Sequence, residues 1–179
     1  HFQDYRERHP YKPVAVPRSR YQPLIQMQLM IGSILLKDDL LHPMISGNKF
    51  RKLKYNIAAA QAQNAKGLIT FGGAFSNHIA ATAYASKVNG LKSIGVIRGE
   101  ELESKIDANP TLSFAKDNGM QFYFVSREVY REKNSESFQN NLRKHFGDFY
   151  LIPEGGTNKL AVKGCEEILT TEDSEYDYI

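Results

Sequence analysis

The 179 residues contain a single cysteine and no tryptophan. One thiol, Cys165, cannot close an internal disulfide and provides no zinc-ligand spacing, so a disulfide scaffold and a zinc module are both excluded. A chain that uses cysteine so sparingly is expected in the cytoplasm. Long apolar runs are missing as well. None approaches the roughly 18 residues that a membrane helix needs, so no membrane partner is expected. Charge of one sign is also scarce: 23 Lys and Arg stand against 20 Asp and Glu, a formal charge of +3. That is far from the dense basic field that argues for nucleic acid, and no nucleic-acid partner is expected. The histidines (His1, His9, His42, His78 and His145) show no metal-ligand spacing. A G-x-S-x-G elbow is absent, which removes the corresponding serine hydrolases.

What is present is an ordinary globular composition, 41% hydrophobic and 24% charged, with 10 Phe and 10 Tyr. The first 23 residues hold Pro10, Pro13, Pro17 and Pro23 with several charges, which reads as loop or extended chain and not as a secretory signal. The chain opens at His1 and closes on Glu175-Tyr176-Asp177-Tyr178-Ile179, the beginning of a strand by its pattern. The expectation is a piece of a longer protein.

From Pro23 onward the pattern becomes regular. Ile34-Leu36 is a short buried strand candidate leading into Lys37-Asp38-Asp39, and Gly47-Asn48 punctuates the start of a helix. In that helix Phe50, Leu53, Ile57 and Ala60 form one apolar stripe. Four further units follow, each an apolar run and then a helical pattern. The runs are Gly67 to Phe71, Ser93 to Ile97, Met120 to Val125 and Phe149 to Ile152; the helical segments begin near Ser76, Pro110, Ser135 and Lys159. Strands alternating with helices of this length require crossover connections, hence a parallel sheet and an α/β fold.

In such sheets ligands bind beyond the carboxyl ends of the strands, where glycine turns feed helix N-termini. Ile69-Thr70-Phe71-Gly72-Gly73-Ala74-Phe75-Ser76-Asn77-His78 has that form. Its glycines let a ligand approach the backbone, and the unpaired N–H groups of the first turn favour an anion. The plainer reading is a tight turn with Ser76 as helix cap. A second segment, Gly47-Asn48-Lys49-Phe50-Arg51-Lys52-Leu53, crowds three cations into a first helical turn. There the helix dipole repels them unless an anion is bound. The same field, with Lys52 on nearly the same face, pushes the Lys49 amine toward its neutral, nucleophilic form, the form that condenses with a carbonyl. The plainer reading is a solvated basic patch.

Together these segments resemble the 1-aminocyclopropane-1-carboxylate deaminase and D-cysteine desulfhydrase family, pyridoxal-phosphate enzymes of the tryptophan-synthase β-like fold, fold type II. Leu36-Lys37-Asp38-Asp39-Leu40 and Pro153-Glu154-Gly155-Gly156-Thr157-Asn158 resemble two further motifs of that family. The resemblance implies a two-lobe parallel-sheet fold, truncated after its smaller lobe. Residues 1–49 would belong to the larger lobe, 50–158 would form the smaller α/β lobe, and 159–179 would return to the larger one. It implies pyridoxal 5′-phosphate as cofactor, held by Lys49 through a Schiff base, with Asn77 at the ring hydroxyl and Lys52 near the phosphate. Lys49 would then act as base at the substrate α-carbon. The Ser76-Asn77-His78 turn would receive the carboxylate of a small amino-acid substrate, with Ser76 also touching the reacting group. The expected activity is a deaminase or lyase releasing ammonia and a keto acid, with a homodimer as the full-length assembly.

Three departures stand out. Ala74-Phe75 and His78 replace the deaminases' usual Ile-Gln and Gln around Ser-Asn; His78 leans slightly toward the desulfhydrase branch, from which Phe75 departs too, and Glu154 is unusual in its turn. The family's glycine-threonine-rich phosphate loop follows the strand that Tyr176 begins and is not among these residues. That leaves an alternative of a different class: an inactive α/β binding or scaffolding module. A nucleotide-binding domain has only Gly72-Gly73 in its favour, with no G-x-G-x-x-G motif.

Overall fold

A computed structural model describes the backbone of Tyr21–Leu24 and Ser33–Leu36, then Ile45, residues 47–171 and Ser174. Lys37-Asp38-Asp39, Pro10, Pro13, Pro17 and the strand expected from Tyr176 lie outside the described residues. By contacts the chain divides into two units, His1–Gly47 and Asn48–Ile179.

In the first unit, β1 (Tyr21–Leu24) and β2 (Ser33–Leu36) pair antiparallel, with Pro23 opposite Ile34. The expected strand at Ile34-Leu36 is there, whereas β1 replaces the extended loop expected from its proline. A two-stranded ribbon leaves each strand one free edge, where a residue without an N–H costs no ladder bond.

The second unit begins with helix α1 (Asn48–Ala62), whose Leu53, Ile57 and Ala60 are buried as their spacing predicts. Then β3 (Gly67–Gly72), α2 (Asn77–Val88), β4 (Lys92–Arg98), α3 (Pro110–Asp117), β5 (Met120–Val125), the short α4 (Arg127–Arg131), α5 (Glu136–Phe146), β6 (Phe149–Leu151) and α6 (Lys159–Glu166) follow in order. Side-chain oxygens of Ser76, Asn109, Ser126, Ser135 and Asn158 cap α2 to α6 by accepting a backbone N–H three residues on. All four strands of the sheet are parallel, in the order β5-β4-β3-β6.

Successive side chains of a strand face opposite sides. Ile69, Phe71, Ile94 and Val96 therefore join Val125, Tyr130 and Leu142 in one core. Ile97 and Met120 join Ile79, Ala83, Leu112 and Ala115 in a second. Thr70 lies between Ile69 and Phe71 on β3, so its hydroxyl points to the face opposite theirs. Helix α6, which the sequence reading assigns to a returning larger lobe, packs against α1 at Gly164, where a methyl group would run into the Arg51 carbonyl oxygen. Arg51 donates to the Glu167 carbonyl at 2.8 Å, and Lys54 pairs with the Glu167 carboxylate at 2.6 Å.

Candidate active site

The strand order places β4 on one side of β3 and β6 on the other: the chain steps outward from β3 to β4 and β5, then crosses back to add β6 on the opposite side of β3. That makes the carboxyl ends of β3 and β6 a topological switch point, the crevice where open α/β sheets bind ligands. Two glycine turns meet there, Gly72-Gly73 at the end of β3 and Gly155-Gly156 after β6.

The first turn has one structural and one permissive glycine. A Cβ at Gly72 would lie 2.5 Å from Ile79 Cγ1 and 2.9 Å from Ser76 Cβ, so the helix start sits directly on this residue. A Cβ at Gly73 would meet nothing nearer than the Arg98 guanidinium, at 3.8 Å. Ser76 Oγ accepts from Ile79 N at 3.4 Å, which is the capping role, and its own hydroxyl proton has no acceptor among the described residues. The N–H groups of Asn77 and His78 have no backbone acceptor among the described residues. Asn77 is exposed, and Phe75, 77% accessible, stands out beside it. This end of α2 therefore offers a hydroxyl, two N–H groups and a carboxamide to one small region, a donor set suited to a carboxylate.

His78 behaves differently from the turn residue expected. Its side chain is 2% exposed, with Nε2 2.8 Å from Thr70 Oγ1. Thr70 donates its only proton to the Ile152 carbonyl at 3.1 Å, so it accepts from His78, which fixes the Nε2–H tautomer. Only the backbone N–H of His78 is left to face a ligand. Burial first, then the charges of Lys49 and Lys52, lower its pKa from 6.5 to about 3. The neutral ring is thus a folded-state property: below pH 6.5 the unfolded chain binds a proton that the folded chain refuses, and stability falls as the pH drops toward 3. Between pH 7.5 and 5 this one group should remove about 2 kcal/mol of stability. Urea unfolding at the two pH values, compared with the His78→Gln variant, checks it; an equal pH response in both proteins refutes it.

The basic segment resolves into separate duties. Arg51 and Lys54 are committed to Glu167, and Lys163 lies 4.6 Å over the Tyr55 ring that also bonds to Glu167. Lys52 donates to Thr157 Oγ1 at 3.0 Å, which brings it to the second glycine turn. Lys49 is half-buried and donates at 2.9 Å to its neighbour Asn48. Its pKa is held below the ordinary lysine value by burial first and by Lys52 second, while Cys165 acts in the opposite sense. The repulsion read from the sequence is present, but burial is the larger cause.

The second turn, Pro153 to Asn158, has Gly155 at φ 68° and Gly156 at φ 73°, a left-handed backbone that favours glycine. Glu154 anchors it: Tyr130 donates to its carboxylate at 2.7 Å and Lys133 pairs with it at 3.3 Å. The unusual residue of the sequence reading is therefore a structural tie. Asn158, the cap of α6, also exchanges hydrogen bonds with buried Asn56 at 2.7 and 3.2 Å, linking the turn to α1. Neither Thr70 nor the Asn56–Asn158 pair was visible in the sequence, since each depends on a strand or helix distant in the chain. Arg98 had one available signal, its place at the carboxyl end of a strand.

No protein-family profile matches the chain. Individual relatives do. A putative 1-aminocyclopropane-1-carboxylate deaminase of Thermotoga maritima is 39% identical over 132 residues, covering 72% of this chain and 40% of that protein. A mitochondrial bifunctional D-cysteine desulfhydrase/1-aminocyclopropane-1-carboxylate deaminase of Arabidopsis thaliana is 33% identical over 148 residues, covering 79% and 37%. The crystal structure of an ACC deaminase homologue superposes with a TM-score of 0.64 at 28% identity, over 83% of this chain and 44% of that one. The chain is a homologue of the 1-aminocyclopropane-1-carboxylate deaminases and D-cysteine desulfhydrases. Its fold is fold type II, the tryptophan-synthase β-like class. An O-ureido-L-serine synthase, 13% identical with a TM-score of 0.51, shares the fold alone. This deaminase homologue spans half or less of the length of these relatives. Among its described residues no helix is long and apolar enough to cross a membrane.

Proposed function

We propose that the full-length protein is a pyridoxal 5′-phosphate-dependent deaminase or lyase that releases ammonia and a keto acid from a small amino acid. The observation that carries this reading is the convergence of α1 and α2 at the switch point. There half-buried Lys49, its pKa depressed, lies in the same electrostatic environment as the proposed carboxylate-binding start of α2, Lys49 and Lys52 both acting on buried His78. The residues present fit the cofactor. Lys49 supplies an amine for its carbonyl, Asn77 a carboxamide for its ring hydroxyl, and Lys52 a cation for its phosphate. Pyridoxal phosphate, when bound, supplies the electron sink for charge left at the substrate α-carbon.

The protein's own residues divide the remaining work. The N–H groups of Asn77 and His78, with the Ser76 hydroxyl, hold the substrate carboxylate. Lys49 Nζ, its proton affinity lowered, takes the proton from the α-carbon. The buried imidazole of His78 is withdrawn from this exchange, which leaves Lys49 as the base. In this reading residues 50–158 are the smaller lobe, 1–49 and 159–179 belong to the larger one, and the full-length protein assembles as a cytoplasmic homodimer. An inactive scaffold gives no reason for an amine of depressed pKa beside a prepared anion site.

Full-length protein should absorb at about 420 nm, as a pyridoxal Schiff base does. Borohydride reduction followed by peptide mapping should place the cofactor on Lys49. Labelling of another lysine, or no chromophore in full-length protein, overturns the proposal. Assay of sulfide, ammonia and keto acid from D-cysteine and from 1-aminocyclopropane-1-carboxylate then separates the two branches.

A further inference from the structure

His78 connects parts of the site that are otherwise independent. Its ring donates to Thr70 on β3, and Thr70 in turn donates to the carbonyl of Ile152, the residue after β6. The Cε1–Nδ1 side of the ring rests on Gly156: a Cβ there would lie 2.9 Å from His78 Cε1 and 3.3 Å from Nδ1. The next residue, Thr157, receives Lys52, and Asn158 beyond it is bonded to Asn56 of α1. A chain of contacts therefore runs from the first turn of α2 through the imidazole to the second glycine turn and on to the helix carrying Lys49.

Several features show that the ring is built in for geometry and not for solvation. It is fully buried, and its Nδ1 has no hydrogen-bond partner among the described residues. Leaving a buried acceptor unpaired costs about 1–3 kcal/mol, so a purely structural position would favour an apolar residue. Gly156 is held left-handed with its missing side chain facing the imidazole, so a larger residue there would displace the ring. On the helix, adjacent residues are about 100° apart, so the inward turn of His78 sets the outward direction of Asn77.

We propose that His78 is a positioning residue whose imidazole spaces the Gly155-Gly156 turn from the start of α2. It thereby sets where the Thr157–Lys52 pair stands relative to the Ser76-Asn77 carboxylate site. For its functional arm the inference rests on the reading given above; its geometric arm does not.

The test uses full-length protein and four variants. His78→Ala and Thr70→Val break the strut, while His78→Gln and Thr70→Ser each keep a group able to make the Nε2-side hydrogen bond. Amide hydrogen exchange is measured at residues 154–158 without added cofactor. It should rise about tenfold in the two breaking variants and stay near wild type in the two conservative ones. Pyridoxal phosphate binding, followed by absorbance, should weaken in the breaking variants. With D-cysteine or 1-aminocyclopropane-1-carboxylate as substrate, KM should rise severalfold in the breaking variants and recover in the conservative ones. Unchanged exchange at 154–158 in Thr70→Val, which replaces only the hydroxyl by a methyl group, overturns the proposal even if His78→Ala fails to fold. A lowered melting temperature with unchanged exchange, cofactor affinity and KM overturns it too, since that is the signature of a merely structural histidine. If full-length protein binds no pyridoxal phosphate, the functional reading fails while the exchange arm still decides the role of His78.

Discussion

Lys49→Ala should lower kcat of the full-length protein by roughly a thousandfold or more while leaving it folded. General-base catalysis by a positioned side chain contributes about 10²–10⁴-fold, and in the proposed function the same amine also anchors the cofactor. Little else depends on it: among the described residues the half-buried Lys49 makes one side-chain hydrogen bond, to the adjacent Asn48. The helix should not suffer, because a cation in the first turn opposes the dipole and alanine is the better helix former. Steady-state kinetics, circular-dichroism melting and the absorbance at about 420 nm together check this. Activity within tenfold of wild type, or loss of folding, would show that Lys49 does not hold the assigned role. Lys52→Ala should behave differently. It removes the bond to Thr157 and, in the proposed function, one cation near the phosphate, and should weaken cofactor affinity with a smaller effect on kcat.

The largest stability effect is expected at a residue with no part in the chemistry. Gly164→Ala should destabilise the protein by about 3 kcal/mol, the upper end of ordinary overpacking. The added methyl would overlap the carbonyl oxygen of Arg51 and come within 3.5 Å of the Tyr55 ring. Backbone cannot rotate aside as a side chain can, so α6 must move off α1. Three contacts at this crossing strain together: Arg51 to the Glu167 carbonyl, Lys54 to its carboxylate, and Lys163 over Tyr55. Because Asn158 both caps α6 and bonds Asn56, the displacement should also loosen the turn that receives Lys52. Urea unfolding checks the first effect and cofactor affinity the second. Wild-type stability in Gly164→Ala would mean that the helices are not so closely packed.

The strand-helix units could be read directly from the chain because their signals are local. Apolar runs of four to six residues and stripes of period 3.6 report burial over a few turns, and Ser76, Asn109, Ser135 and Asn158 mark helix starts by residue type. Expected and observed elements therefore differ by a residue or two in β3, β4 and β6. β1 was missed because a proline argues against a strand unless its free edge is known. The short α4 was missed because five residues hold too little pattern. Of the candidate site, Lys49, Lys52, Ser76 and Asn77 were legible as motif and as locally unfavourable charge.

Which way those residues point was not legible. His78 follows Asn77 in the chain, yet a step of about 100° around α2 carries one outward and the other into the core. Likewise Arg51 turns to Glu167 and Lys52 to Thr157, partners 116 and 105 residues away. The sequence by itself determined the alternation of strands and helices, their caps and the residue types gathered at the helix starts, all consequences of interactions within a few residues. Only the tertiary structure decided that β6 lies beside β3, and with it that Gly156 meets His78 and that Thr157 meets Lys52. Strand order is set by which crossovers pack best across the whole sheet, a property that no local segment carries.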